Sequence, residues 1–313
     1  MSYFGKTSDA EPNTRPDCSC LGQASSATPT FVLVPGLSAT SFVWTPLVRE
    51  LALRGHRALP IELPGHGFDA VFPAGYQCPQ DTEKLATAPS PMAALTLKDY
   101  VAHTLQIVRR VAEHGPVVLV GHSMGGSTVT GVANTAPELL ARIVYLCAYC
   151  CVALPSVPAY APTPDTADSL LTHARQVVWI GDPARTGASR TNPRTADPQV
   201  LATQHALFMA DLDPALVPAA LNYALQPDES LHAILADAQV NPATWAALPR
   251  TYIRTTHDRV LPPAVQDRMI AEADALAPTN PFDVHRLDTS HCAPITRPAE
   301  IADILTATFA AGS

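Results

Sequence analysis

Residues 117–126 read Val-Val-Leu-Val-Gly-His-Ser-Met-Gly-Gly. The four apolar residues, three of them β-branched, are enough for a buried strand and too few for a helix. They run straight into Gly121-His122-Ser123-Met124-Gly125, the pattern G-x-S-x-G, and then into a helical stretch to about Ala136. A turn this sharp leaves no room for side chains two positions either side of Ser123, which is why glycines stand at Gly121 and Gly125. Ser123 is thereby pushed out above the sheet edge, in front of free amides at the helix N-terminus. A Gly-rich turn that only starts a helix is the simpler alternative. The strand before it and the helix after it favour a nucleophile.

Outward from this point the chain alternates. Thr30–Pro35 (TFVLVP) reads as a strand, Phe42–Arg54 as a helix closed by Gly55, and His56–Leu63 as a strand stopped by Pro64-Gly65-His66-Gly67. Residues 68–94 are Pro-interrupted and unpatterned, an excursion. Leu95–His114 is an amphipathic helix with Thr96 as its cap, and Ala141–Cys147 is the fourth strand. Such βαβα alternation with near-continuous apolar strands indicates an α/β fold, a mostly parallel sheet flanked by helices. From about 150 to 247 the pattern breaks into helical fragments at Asp197–Asp211, Pro214–Ala224 and Glu229–Asp237. It resumes with a strand at Thr251–Arg254, a helix at Pro263–Leu276, a strand at Phe282–Leu287 and a closing helix from Pro298 to Ala311. The expected organisation is a flexible tail at 1–29, a core made of 30–149 and 248–313, and a helical cap or lid at 150–247. A cap inserted there covers the strands' C-terminal edge, where ligands bind.

Composition narrows the class. The 313 residues are 47% hydrophobic and 15% charged, with a formal net charge of −8. That excludes disorder, and 20 Lys+Arg against 28 Asp+Glu argues against nucleic acid as a partner. No apolar run reaches the roughly 18–20 residues of a membrane span, and the N-terminus lacks a basic start followed by an apolar run. Seven cysteines (Cys18, Cys20, Cys78, Cys147, Cys150, Cys151, Cys292) are an odd set in a long chain. They are expected to be inert thiols in a reducing cytoplasm, neither a disulfide scaffold nor a metal site. There is no HExxH, P-loop or strand-linked GxGxxG, so no metal and no cofactor are expected. Nothing indicates an oligomer.

A serine hydroxyl needs a base, and an imidazole titrating near neutrality suits that task. Chain order in this architecture runs Ser, acid, His, which selects His291, in the loop after the last strand. His122 is expected to point away from Ser123, and His66 to be structural. Asp258, in the loop after the Thr251–Arg254 strand, is the acid that would hold the imidazole's tautomer; the alternative is a helix cap. Asp288 is expected to brace the His291 loop. Two backbone amides would receive the oxyanion, those of Met124 and Leu37. Trp179, Phe208, Met209, Leu221, Tyr223 and Trp245 are candidates for an apolar substrate lining, although most buried apolar residues are simply core.

With FVLVPGLSATSFVW, ELPGHG, GHSMGG, TYIRTTHDRVLPPAVQDRM and DTSHCAPITRPAEIADIL in hand, the chain resembles the α/β-hydrolases, in particular the branch of plant methylesterases and hydroxynitrile lyases with their bacterial relatives. The resemblance covers about residues 30–310. It implies Ser123, Asp258 and His291 at the triad positions and Leu37 and Met124 at the oxyanion positions. Two departures stand out. The branch usually has His-Gly where this chain has Pro35-Gly36, and its lyases carry Thr at the position of Gly36 and Lys where this chain has Cys292. Cyanohydrin cleavage is therefore not expected. The expected function is hydrolysis of a carboxylic ester, a methyl ester or lactone among the options, of a bulky hydrophobic small molecule. Two alternatives remain open: a lyase, cyclase or acyl transferase of specialised metabolism using the same three residues, and a non-catalytic ligand-binding protein of this fold.

Overall fold

The apolar runs at both ends of the first half pair side by side in the computed structural model, which describes residues 28–310. The tail expected at 1–29, apart from its last two residues, lies outside that range, as do Cys18 and Cys20. In chain order the elements that position the site are β1 (Thr30–Val34), α1 (Thr45–Leu53), β2 (Arg57–Pro60), α2 (Leu97–Ala112), β3 (Val117–His122), α3 (Gly125–Thr135) and β4 (Arg142–Leu146). There follow β5 (Ala188–Arg190), α4 (Pro198–Phe208), α5 (Val217–Ala224), β6 (Asp228–Ser230), β7 (Arg250–Thr255), α6 (Pro263–Leu276), β8 (Asp283–Leu287) and α7 (Pro298–Ala310). Six strands form one sheet in the order β2-β1-β3-β4-β7-β8, every pair parallel.

Strand periodicity sends alternate side chains to opposite faces. Val32 and Val34 of β1, Leu119 of β3 and Tyr145 of β4 pack with Tyr100 and Val108 of α2, Val132 of α3 and Met269 of α6. Phe31 and Leu33, Val118 and Val120, and Val144 and Leu146 pack on the other face with Leu47 and Leu51 of α1 and Ile301 and Leu305 of α7. With both faces covered, the inner strands are apolar throughout, which is why they read as continuous runs. The expected cap on α2 is present: Thr96 accepts from the Asp99 amide while the Asp99 carboxylate accepts from the Thr96 amide. No described helix is long and apolar enough to cross a membrane.

The segment between β4 and β7 departs from the helical expectation. β5 and β6 pair antiparallel, so Asp228–Ser230 is a strand and only Leu231–Leu235 of the 229–237 stretch is α-helical. Buried polar groups explain the strand. Arg190 on β5 donates a bidentate pair to Asp228 on β6 and bonds the Leu85 and Ala88 carbonyls of the 68–94 excursion. The excursion is thus tied to the inserted segment, and it contains a short helix at Thr82–Thr87.

A second buried pair joins β6 to the core. Glu229 and His66 are both fully buried and lie 3.2 Å apart, with the Tyr100 hydroxyl donating to the other Glu229 oxygen at 2.6 Å. Burial alone would push the imidazole down, but the Glu229 carboxylate raises it above its ordinary 6.5. Burial alone would push Glu229 up, but His66 and the hydrogen bonds hold it below its ordinary 4.5. His66 therefore contributes stability that is complete below pH 6.5 and lost as pH rises through its raised value. Glu229 contributes stability that is complete above pH 4.5 and lost as pH falls through its lowered value. Breaking a buried pair costs about 3–5 kcal/mol. His66→Gln should accordingly lower Tm most at about pH 6, and the gap to wild type should shrink as pH rises above 6.5 through the raised His66 value. Thermal unfolding across that range checks it, and a gap independent of pH would contradict it.

Candidate active site

Strand register brings the C-terminal ends level, with Val34 beside Gly121, His122 beside Leu146, Leu146 beside Ile253 and Thr255 beside Leu287. The chain grows the sheet one way from β1 to β2 and the other way from β3, so a crevice opens between the loops after β1 and β3. The described non-glycine residues with positive φ all sit just past this edge: Ser38 (53°), Ser123 (54°) and Cys147 (35°). Left-handed backbone costs roughly 1–2 kcal/mol per residue and collects where geometry serves function.

Ser123 is held in this conformation from both sides. Its amide donates to the Leu146 carbonyl, and its carbonyl accepts from the Tyr149 and Gly126 amides. A Cβ on Gly125 would sit 2.5 Å from the Pro35 carbonyl oxygen, and one on Gly36 would sit 2.9 Å from the Ser123 Cβ. The steric requirement at the elbow is therefore met by backbone, which cannot yield. The same crowding bars threonine at position 36 without a shift of the turn.

The three side chains selected by topology meet. Ser123 Oγ lies 2.9 Å from His291 Nε2, and His291 Nδ1 lies 2.7 Å from Asp258 Oδ2. Their loops are zipped together, the Thr256 amide donating to the Leu287 carbonyl and the His257 amide to Thr289. Asp258 is fixed further by the Thr255 hydroxyl on Oδ2 and by the Val260 and Leu261 amides on Oδ1. Gln266 of α6 in turn braces the Thr255 hydroxyl and the Leu261 carbonyl. Asp288 is exposed and links Thr256 to His257. The His291 loop is braced instead by Asp211, which follows α4 and accepts from the Thr289 and Ser290 hydroxyls.

His122 does point away from the serine hydroxyl. Its Nε2–H donates to the His291 carbonyl at 2.9 Å, and the Cys147 thiol donates to the same oxygen at 3.3 Å. Burial, with His291 close by, pushes the His122 imidazole down to about 3, so it stays neutral. The ligand atoms of His122, Cys147 and His291 lie within 4.8 Å of one another. They are not a prepared metal set: both His291 nitrogens are engaged, and burial raises the Cys147 thiol, which keeps it protonated. Cys150 and Cys151 are likewise buried, with thiols raised by burial.

The Met124 amide follows the serine in sequence, and Leu37 follows Gly36, where an added Cβ would lie 2.9 Å from the Ser123 Cβ. Leu37 sits in the turn closed by the Ala39 amide on the Gly36 carbonyl, and Met124 is the N-cap of α3. Among the described residues neither amide donates to a protein acceptor, so both are available to an incoming oxygen.

The six lining candidates divide. The Phe208 ring lies 6.4 Å from the His291 ring, and its carbonyl accepts from the Cys292 amide. Trp179 packs with Val178, Leu207 and Val260 and donates its indole N–H to Ser189. Met209 and Leu221 fill the interior of the inserted segment with Val217. Tyr223 is exposed and lines a cavity of about 170 Å³ with Phe42, Phe68 and Arg194, whose walls do not include Ser123. Trp245 is a correction: it is fully buried, bonds the Tyr145 hydroxyl and stacks on Arg250, the first residue of β7, so it belongs to the core. An indole needs a partner for its N–H when buried, and the Tyr145 hydroxyl supplies one in the same core cluster.

Comparison with known proteins adds to this geometry. The profile of the alpha/beta hydrolase family matches residues 31–304. The chain is 25% identical over 280 residues to a pyrethroid hydrolase of Sphingobium wenxiniae, covering 88% of this chain and 85% of that protein. It is 23% identical over 244 residues to a pheophorbidase of Raphanus sativus, covering 77% and 80%. Among solved structures, a methylesterase protein from Arabidopsis superposes with a TM-score of 0.64 at 19% identity, covering 90% of this chain and 99% of that one.

Proposed function

This chain belongs to the alpha/beta hydrolase family, and from that premise we propose that it hydrolyses a carboxylic ester through an acyl-enzyme formed on Ser123. As the hydroxyl attacks the ester carbonyl, His291 takes its proton, and Asp258 holds the Nδ1–H and stabilises the resulting imidazolium. The Leu37 and Met124 amides receive the oxyanion, each donor being worth on the order of 3 kcal/mol. Collapse of the tetrahedral intermediate breaks the C–O bond, and His291 hands its proton to the departing alcohol. Water activated by His291 then releases the acid. The observation that carries this function is the continuous hydrogen-bond chain from Ser123 through His291 to Asp258.

The substrate we propose is a bulky, uncharged ester. Phe208 beside His291 presents an apolar wall, and the relatives named a pyrethroid hydrolase and a pheophorbidase support a small-molecule substrate. The position directly after His291 supports hydrolysis over cyanohydrin cleavage. Burial pushes the Cys292 thiol up to about 12, so it is neutral and offers no cation for a leaving cyanide. Ser123 and His291 are only 6% and 3% exposed, which supports a reading in which the segment 150–247 caps the site and shifts to admit substrate.

Turnover of a panel of p-nitrophenyl and methyl esters in ¹⁸O-labelled water tests the function. Acid and alcohol should form in equal amounts, with one label in the acid. A product with no water added would contradict hydrolysis.

A further inference from the structure

Glu229 does more than pair with His66. Its Oε2 also accepts the backbone N–H of Ser38 at 2.8 Å, while its Oε1 accepts from the Tyr100 hydroxyl and from the Ser230 amide at 2.8 Å. Ser38 is the residue after Leu37, and it holds the turn open with a φ of 53°. Its other backbone group is also held by the inserted segment, because the Gln226 amide donates to the Ser38 carbonyl at 2.9 Å. The seam continues through Thr40, whose amide donates to the Ala224 carbonyl, and through the bridge between Ala39 and Leu225. Residues 38–40, which directly follow Leu37, are therefore paired along their length with residues 224–229. The Glu229 carboxylate is the charged group that bonds Ser38.

We infer that Glu229 is a positioning residue for the oxyanion hole: through the Ser38 amide it fixes the turn that aims the Leu37 N–H, so the seating of the inserted segment sets the rate of the chemical step. This presupposes the serine hydrolase function above. A turn left-handed at serine is disfavoured on its own, and hydrogen bonds to both peptide groups of Ser38 offset that cost. Moving the carboxylate away from Ser38 lets the turn relax and misaims the donor one residue upstream. An oxyanion donor interacts with the charge that develops in the transition state, so kcat should fall while KM barely moves.

Glu229→Ala and Glu229→Asp test this, with Tyr100→Phe as the comparison. The aspartate variant keeps the buried charge but draws Oε2, which serves both Ser38 and His66, back by one methylene. Tyr100→Phe loosens the same carboxylate on the side away from Ser38. Both Glu229 variants should lose about tenfold to hundredfold in kcat on a p-nitrophenyl ester, with KM within about threefold of wild type. A trifluoromethyl ketone, whose hemiketal oxygen carries the charge, should bind more weakly by about the factor lost in kcat/KM. Tyr100→Phe should lower Tm and leave kcat within about threefold. A folded Glu229→Asp with wild-type kcat would overturn the inference, as would an equal kcat loss in Tyr100→Phe, which marks a merely structural role. Failure of the hydrolase function itself looks different: wild-type protein would then neither turn over esters nor react with a fluorophosphonate at Ser123.

Discussion

Substituting alanine for Ser123 is expected to lower kcat toward an ester by about 10⁴-fold or more, with Tm close to that of wild type. The hydroxyl is the group that forms the bond to the acyl carbon, and nothing beside it can stand in. His122 is turned to the His291 carbonyl, and the Cys147 thiol is bound to that same oxygen and kept protonated by burial. The Leu37 and Met124 amides remain in place, so a residual rate above that of water should persist. Structure changes little, because the elbow is held by Ser123 backbone bonds to Leu146, Tyr149 and Gly126 that alanine keeps. Steady-state kinetics with thermal unfolding checks both parts.

The second large effect belongs to Asp258→Asn, expected to drop kcat by about 10⁴-fold with little change in KM, by analogy with the equivalent substitution in other triads. The direction follows from which oxygen meets which donor. Oδ1 accepts two backbone amides, Val260 and Leu261, so the asparagine carbonyl must take that place. Its NH₂ group is then forced to the Oδ2 position, facing His291 Nδ1 and the Thr255 hydroxyl. An NH₂ there donates to Nδ1 and drives the imidazole proton onto Nε2. An Nε2–H cannot accept the proton of Ser123. A loss of about tenfold or less in a folded variant would mean that Asp258 only caps its loop, at the roughly 1 kcal/mol typical of a cap.

Much of the site was legible because its constraints are local. Gly121 to Gly125 announces a sharp turn within five residues, although the atoms that crowd Gly125 belong to Pro35 and Val34 of the neighbouring strand end, and the loops holding Asp258 and His291 follow from strand order. Closing prolines and glycines marked most helix ends, and Pro263–Leu276 matches its expected span. The inserted segment was not legible in the same way. Asp228–Ser230 reads as polar and forms a strand because Arg190 and His66, distant in sequence, neutralise Asp228 and Glu229 in the interior. Trp245 looked like a lining residue because composition cannot tell which side of a sheet an indole faces. Asp211, Gln266 and Glu229 brace the site through tertiary hydrogen bonds, and no spacing in the chain signals them. Glu229 stands in the polar run Gln226–Ser230, and only its burial against His66, Tyr100 and the Ser38 amide gives it meaning.

The central claim is that Ser123 carries the acyl group between two half-reactions. Acid-quenching wild-type protein within milliseconds of mixing with a p-nitrophenyl ester, then weighing the intact chain and mapping its peptides, addresses it directly. A mass increase equal to the acyl group, confined to the peptide bearing Ser123 and gone once substrate is exhausted, is what a covalent intermediate requires. Continued turnover with no adduct at that serine, or with the adduct on another residue, would contradict it.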